Sequence, residues 1–366
     1  MEEFLYIFDK LNIEIEEKKS FFKKENIFTD ENITNNLINK LEPTENNVVL
    51  FSIANSPEEQ DANNIIREYL YKLEPVDRKI NFFDFGNVKQ EIVAKQLKQA
   101  LYYFFSESNA SAKYIILCPN RKLLGDIIGS LPKSSLNITD INHSFDLYNT
   151  IKELTKQGKI QFYNLAGNLQ FFYNINVNQN ELNVEILRLG EIRNQMERLE
   201  PYLRESDMVI NSLNAVSAAH SPSSSNPSPN GLSAYDFSYI SFLTGICSRP
   251  KHLIYTGISE NEYDTNHLSA QLIAQSIWLY LNTFTLAKDE KPTRDKESSF
   301  FETIIHSNTK YNIELVFYHS TLTDRWWLHI PSTDMIVAIS KQDYLACRQG
   351  DIPERLIKII EKYTKL

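Results

Sequence analysis

Glycine is conspicuously scarce in this sequence. Ten among 366 residues is under half of the ~7% usual in globular chains. Loops that wrap metals or phosphates use glycine for positive φ and for close backbone approach, so the count argues against a glycine-lined catalytic centre. Cysteine is scarcer still. Cys118, Cys247 and Cys347 lie far apart with no Cys-x-x-Cys spacing, which argues against a disulfide framework or a structural zinc site and suits a reduced chain in the cytoplasm. A basic region followed by an apolar stretch is missing from Met-Glu-Glu-Phe-Leu, so no signal peptide is expected. The longest apolar runs, such as Val48–Phe51 and Tyr114–Cys118, are strand-sized and far short of the ~18–20 residues of a membrane helix. Basic charge is also short, with 38 Lys and Arg against 47 Asp and Glu, a net charge of −9. No basic stripe is interleaved with aromatics, which argues against a nucleic acid or anionic membrane as partner.

What is present makes a core. Hydrophobic residues are 42% of the chain and aromatics 12%, far from the signature of disorder. Strand-like runs alternate with helical patterns. Strands are expected at Val48–Ile53, Asn81–Phe85, Tyr114–Cys118, Leu136–Ile141, Ile160–Leu165, Met208–Leu213 and His252–Ile258. Helices are expected at Ala62–Leu73, Glu91–Phe105, Leu123–Ser130, Asp146–Gln157, Gly190–Leu203, Leu232–Thr244 and Leu268–Asn282. This order implies an α/β fold of three layers, α/β/α, around a mostly parallel sheet. Ligands of such sheets bind at the carboxyl ends of the strands.

Three segments frame that pattern. Residues 1–45, rich in Glu, Lys and Asn, read as a peripheral helical segment, leaving 46–287 as the α/β domain. Residues 288–366 read as an extension packed on it, with a charged connector at Lys288–Ser299, an aromatic strand pair around Ile313–Tyr318 and Trp326–Ile330, and a closing helix after Pro353. The adjacent Trp326 and Trp327 must point to opposite faces of a strand, one to a core and the other to a lid or interface. Ser217–Ser233, a Ser/Pro/Asn loop directly after a strand, exceeds the ~12–15 residues of ordinary connections. It reads equally as a mobile surface loop or a binding element.

No Walker loop, Gly-x-Gly-x-x-Gly, His-Glu-x-x-His or Gly-x-Ser-x-Gly motif occurs, and the seven histidines show no paired ligand spacing. A resemblance appears instead at the strand ends. Tyr114–Gly125, Asn137–Leu147, Asn164–Gln170, Leu187–Asn194, Asp207–Leu232 and Thr256–Asp264 follow the order and spacing of the arginase/ureohydrolase superfamily. Ile66-Arg67 with Leu70-Tyr71 resembles its first-helix signature. The tail, with Thr323-Asp-Arg-Trp-Trp, Asp343-Tyr and Ile352-Pro-Glu-Arg, is similar to that of formimidoylglutamase-like proteins of the Bacteroidetes type.

The resemblance implies hydrolysis of a C–N bond in an amidine or guanidine by two Mn²⁺ ions that bridge a hydroxide, a metal pair that lowers the pKa of its water. The implied ligand positions are eroded. The family's Gly-Gly-Gly-His reads Leu117-Cys118-Pro119-Asn120, its Asp-Ala-His-x-Asp reads Asn142-His143-Ser144-Phe145-Asp146, and its Asp-x-Asp reads Ser212-Leu213-Asn214. Of the positions held by Asn120, Asn142, Ser144, Asp146, Ser212 and Asn214, only Asp146 keeps a ligand residue. Neutral Asn and Ser oxygens do not offset the repulsion between two dications ~3.5–4 Å apart. Glu260, in Glu260-Asn261-Glu262, matches the glutamate that orients the substrate and would be a catalytic vestige.

The expectation is therefore a pseudoenzyme of the ureohydrolase fold. Asn120, Asn142, Ser144, Asp146, Ser212, Asn214 and Glu260 would line a cleft for a small polar ligand, or the fold would persist as a scaffold for a homo-oligomer or a protein partner. No cofactor is expected; the alternative, a formimidoylglutamase-type hydrolase, would need manganese, and a slip in the alignment would bring Asp140 into the metal-facing register. His220, in the loop, could reach Asp146. Without metal, Asp146 and Glu260 repel in a shared cleft unless something cationic or hydrogen-bonding lies between them. Alternatively, each caps a helix or pairs with a lysine or arginine.

Overall fold

The computed structural model describes residues 6–11, 27, 46–74, 80–107, 112–169, 183–259, 261–292, 301–308, 313–330 and 333–364. One sheet of nine strands organises the domain. In chain order its strands are β1 (Phe8–Asp9), β2 (Asn47–Ser52), β3 (Asn81–Val88), β4 (Lys113–Cys118), β5 (Leu136–Ile141), β6 (Ile160–Asn168), β7 (Val184–Arg188), β8 (Met208–Ser212) and β9 (His252–Thr256). Across the sheet they run β1-β3-β2-β4-β9-β8-β5-β6-β7. Every pairing is parallel except that of β1 with β3.

The continuous apolar runs explain the layering, because a parallel strand is covered on both faces. All six residues of β2 and of β4 are buried. Val48, Leu50, Ile115 and Leu117 enter one core, and Val49, Phe51, Tyr114 and Ile116 the other. The first core is covered by α1 (Pro57–Leu70), α5 (Leu189–Asn194), α6 (Glu200–Glu205), α7 (Ala234–Gly245) and α8 (Leu268–Phe284). The second is covered by α2 (Gln90–Glu107), α3 (Leu124–Ser130) and α4 (Tyr148–Lys156). The three-layer α/β/α architecture is thus the observed one.

Local differences have local causes. The single helix expected over Gly190–Leu203 is broken: Gln195 has φ −149° and ψ 73°, and Pro201 starts a new helix. A ninth-strand edge at β7 was not expected. Residues 1–45 were expected as peripheral helix, but Phe8–Asp9 is a strand and Ile7, Phe8, Leu11 and Ile27 are buried in the cores. The remainder of that segment lies outside the described residues.

The extension forms its own antiparallel sheet, β10 (Phe301–Asn308), β11 (Ile313–Ser320), β12 (Trp326–His329) and β13 (Ile336–Ile339), followed by α9 (Lys341–Arg348) and α10 (Glu354–Thr364). The two tryptophans do point to opposite faces. Trp326 stacks on Tyr344 inside the extension, with centroids 4.0 Å apart. Trp327 faces the domain, where the Arg204 guanidinium lies 4.3 Å above its ring. Arg325 Nε completes the contact, 3.0 Å from Glu200 Oε1. Among the described residues no helix is long and apolar enough to cross a membrane.

In β9, His252 lies face to face with Tyr114 at 5.4 Å and edge-on to Phe105 at 5.3 Å. Burial pushes its pKa down to about 3. Between pH ~6.5 and the folded value, the unfolded chain binds a proton that the native chain does not, so stability falls as pH falls, by roughly 1.4 kcal/mol per pH unit. Urea melts at pH 7 and pH 5 check this. The His252→Phe variant should lose less stability over that interval than the wild type, by about 1–2 kcal/mol; equal losses would contradict it.

Candidate functional site

The two strands of this sheet that come last in the chain sit in its middle: β8 and β9 are inserted between β4 and β5. The turn after β4 and the loop after β5 therefore flank the carboxyl ends of two other strands, where α/β sheets bind ligands. Arg121 links them. It opens the single turn of 3₁₀ helix (Arg121–Leu123) that follows β4, with Asn120 as N-cap accepting from the Lys122 amide at 3.0 Å. From there it reaches Asp140, near the end of β5, and Asp146, in the loop before α4.

The contact is a double fork. Arg121 Nε and Nη2 donate to Asp146 Oδ2 and Oδ1 at 2.7 and 2.9 Å. Nη2 and Nη1 donate to Asp140 Oδ2 and Oδ1 at 2.7 and 3.2 Å. Tyr163, on β6, donates its hydroxyl to Asp140 Oδ2 at 2.5 Å, and Asn142 Nδ2 donates to Asp146 Oδ1 at 3.0 Å. Arg121 and Asp140 are buried, whereas the Asp146 side chain is 38% exposed. Burial lowers the guanidinium pKa, but the two carboxylates more than offset it and raise the pKa well above the ordinary arginine value. Burial and Asp140 together push the Tyr163 phenol well up, so it stays a donor.

A second cluster adjoins the first, on the other side of Gly167; a Cβ there would lie 3.7 Å from both the Asn142 carbonyl and Ala215. Ser212 ends β8 and its hydroxyl accepts from the Asn214 amide. The Asn214 Oδ1 accepts from Ser224 Oγ, Ser225 Oγ and the Asn226 amide at 2.9–3.0 Å. These donors belong to the Ser/Pro loop, which folds back over the strand ends. Ser225 N donates to Gly257 O, and Ser259 N to Ser223 O. Ser223 Oγ donates to Asp264 Oδ2 at 2.8 Å, and that carboxylate also accepts from Leu268 N and Ser269 N at the start of α8. The loop fits because its side chains are small. It also needs glycine at two places, since a Cβ on Gly257 would stand 2.7 Å from Ser212 Oγ and one on Gly231 2.4 Å from Ser217 N. Ser217, Ser221, Ser223, Ser224 and Ser228 are buried, whereas Ala219, His220, Ser225, Asn226, Pro227, Pro229 and Asn230 are exposed, so Ser217–Ser233 is a surface loop anchored inward by its serines.

The seven expected site residues thus fall into separate environments. Asn142, Ser144 and Asp146 come together, through the Asn142 Nδ2 bonds to Asp146 and to the Ser144 carbonyl. Ser212 and Asn214 are buried under the loop. Asn120 turns to Glu59, donating to Oε1 at 3.2 Å. Glu260 lies outside the described residues. His220 is exposed and its Nδ1 meets Ser217 Oγ at 2.9 Å rather than Asp146. Burial pushes the His143 pKa down and the Cys118 thiol up, leaving a neutral imidazole and a protonated thiol. Arg121 was missed from the sequence. The available signal was Asp140: a carboxylate inside a buried strand, Leu-Asn-Ile-Thr-Asp-Ile, requires a cationic or hydrogen-bonding partner.

No family profile matches the sequence, and no curated protein matches it. Solved structures do. The formimidoylglutamase from Bacillus subtilis matches over 66% of this chain and 88% of its own, with a TM-score of 0.56 and 13% identity. The proclavaminate amidino hydrolase of Streptomyces clavuligerus matches over 68% and 94%, at 0.56 and 15%. The Trypanosoma cruzi formiminoglutamase, in a structure with Mn²⁺, matches over 66% and 94%, at 0.55 and 11%. The chain has the arginase/ureohydrolase fold.

Removing either side of the fork strands a buried charge. Arg121→Met should destabilise by about 3–5 kcal/mol. Asp146→Ala, half in water, should lose about 1 kcal/mol or more. Urea melts of Arg121→Met, Asp140→Asn and the double variant should show the double losing clearly less than the sum; strict additivity would mean that the two side chains are not coupled.

Proposed function

We propose that this protein is a non-catalytic relative, by fold, of the ureohydrolases, with a site closed by its own side chains and a role in binding or assembly. The observation that carries the reading is Arg121. A binuclear manganese centre does not fit the residues present. Asp146, the one retained ligand position, is already bonded to Arg121 through both oxygens and to Asn142 through one. A metal ion entering there would have to expel a buried guanidinium, and breaking a buried ion pair costs about 3–5 kcal/mol. Ser212 and Asn214 offer neutral oxygens committed to the serine loop. Among the described residues no three His, Cys, Asp or Glu side chains group as metal ligands.

Hydrolysis of a C–N bond also needs a nucleophile. Neither a protonated Cys118 nor a buried, neutral His143 supplies one at Asp146. The half-buried Ser144 and the exposed Asp146 are where a small polar ligand would bind. A scaffold role would instead use another copy of the chain or a protein partner. Three free, buried cysteines suit a reducing, cytoplasmic setting.

The test is chemical. Protein purified in Mn²⁺ should carry no stoichiometric manganese, and millimolar Mn²⁺ should leave its melting temperature unchanged. An ion bound only to the native state at 100 times its Kd would add ~2.7 kcal/mol, an effect of several degrees. No urea should form from arginine or agmatine, and no formamide from formiminoglutamate. EDTA-sensitive turnover of any of these would overturn the proposal and restore the manganese hydrolase.

A further inference from the structure

We propose that Asp140, Asp146, Tyr163 and Asn142 form a guanidinium-binding pocket which Arg121 occupies in cis. The inference rests on the reading that no metal holds Asp146, and it adds the class of cation the pocket selects. A guanidinium is a planar triangle with three edges, each presenting two parallel N–H bonds. Here two edges are used. The Nε/Nη2 edge faces both oxygens of Asp146, and the Nη1/Nη2 edge faces both oxygens of Asp140. Nη2 gives one bond to each carboxylate. Fork-to-fork geometry of this kind recognises shape as well as charge. A metal ion or an ammonium group acts as a point charge and lacks the paired, parallel donors that match the two carboxylate edges.

The carboxylates are held in that layout independently of Arg121. Tyr163 fixes Asp140 through Oδ2, and its ring stacks on Phe145 with centroids 5.5 Å apart and planes 15° apart. Asn142, fully buried, fixes Asp146 through Oδ1 while its amide also bonds the Ser144 carbonyl. The partial exposure of Asp146 leaves a route from solvent. With the arginine side chain removed, free guanidinium or methylguanidinium fits the same two forks.

The experiment is rescue of Arg121→Gly. Guanidinium chloride at tens of millimolar, well below denaturing concentrations, should raise the melting temperature of the variant by several degrees and leave the wild type unshifted. Sodium and ammonium chloride at equal ionic strength should not. Equal shifts from all three salts, or none from guanidinium, would overturn the pocket. A larger shift from Mn²⁺ would show a general cation site and also overturn it. The wild type gives a readout that needs no variant: the Arg121 Nε–H and Nη–H signals in a ¹⁵N NMR spectrum should be separately resolved and slow to exchange. Rapidly averaged signals would contradict the double fork. Failure of the rescue in a wild type that carries no manganese defeats this inference alone, whereas manganese bound at Asp146 in the wild type defeats the reading beneath it.

Discussion

A positive charge inside a protein must be neutralised where it sits, and Arg121 sits at the carboxyl edge of the central sheet. Its guanidinium is 6% exposed and is matched by two carboxylates on two sides. The requirement ties together parts of the chain that the sheet keeps apart. Strands β4 and β5 are separated by β9 and β8, and the arginine on the turn after β4 joins them across that gap. Another buried arginine, Arg67 on α1, repeats the solution on the other half of the sheet. It bonds Asp84 Oδ2 at 2.8 Å and Oδ1 at 3.2 Å, with Asn87 Oδ1, Ser52 Oγ and the Gly86 carbonyl taking its remaining donors. In both cases a buried arginine, on the turn after β4 or on helix α1, pairs with an aspartate within a buried strand.

The fate of the strand-end positions follows from the same constraint. One built-in cation bonds both Asp140 and Asp146; the remaining negative charge is eased by the partial exposure of Asp146 and by burial, which pushes the Asp140 pKa up. The positions further along, Ser212 and Asn214, are neutral and can be covered. They are covered by a loop of small hydroxyl side chains, whose donors converge on the single acceptor Asn214 Oδ1. The extension docks by another device, cation–π contact. Arg204 lies over Trp327 and Arg355 lies 4.0 Å over Tyr202, so charges buried at that interface are shared with aromatic faces.

The sheet was legible in the sequence because buried parallel strands are unbroken apolar runs, as Val48–Phe51 and Tyr114–Cys118 are. Strand β7 was not, because Val184–Arg188 mixes Glu and Arg into an edge position and its pattern is half polar. The proximity of Asn142 and Asp146 was implied by the resemblance of Asn142-His143-Ser144-Phe145-Asp146 to the ureohydrolase motif. Arg121 was not, since Arg-Lys-Leu-Leu-Gly reads as the exposed start of a helix and nothing local marks the side chain as buried. The signal lay elsewhere, in Asp140 and Asp84, whose charges interrupt strands that otherwise exclude water. A Ser/Pro composition likewise predicts a loop without predicting that its hydroxyls are small enough to be buried.

The most direct measurement is diffraction at the manganese absorption edge from crystals grown in MnCl₂. The account predicts the Arg121 guanidinium lying flat between Asp140 and Asp146, with no anomalous peak within coordinating distance of either carboxylate. A manganese peak on Asp146, with Arg121 turned out of the site, would contradict it.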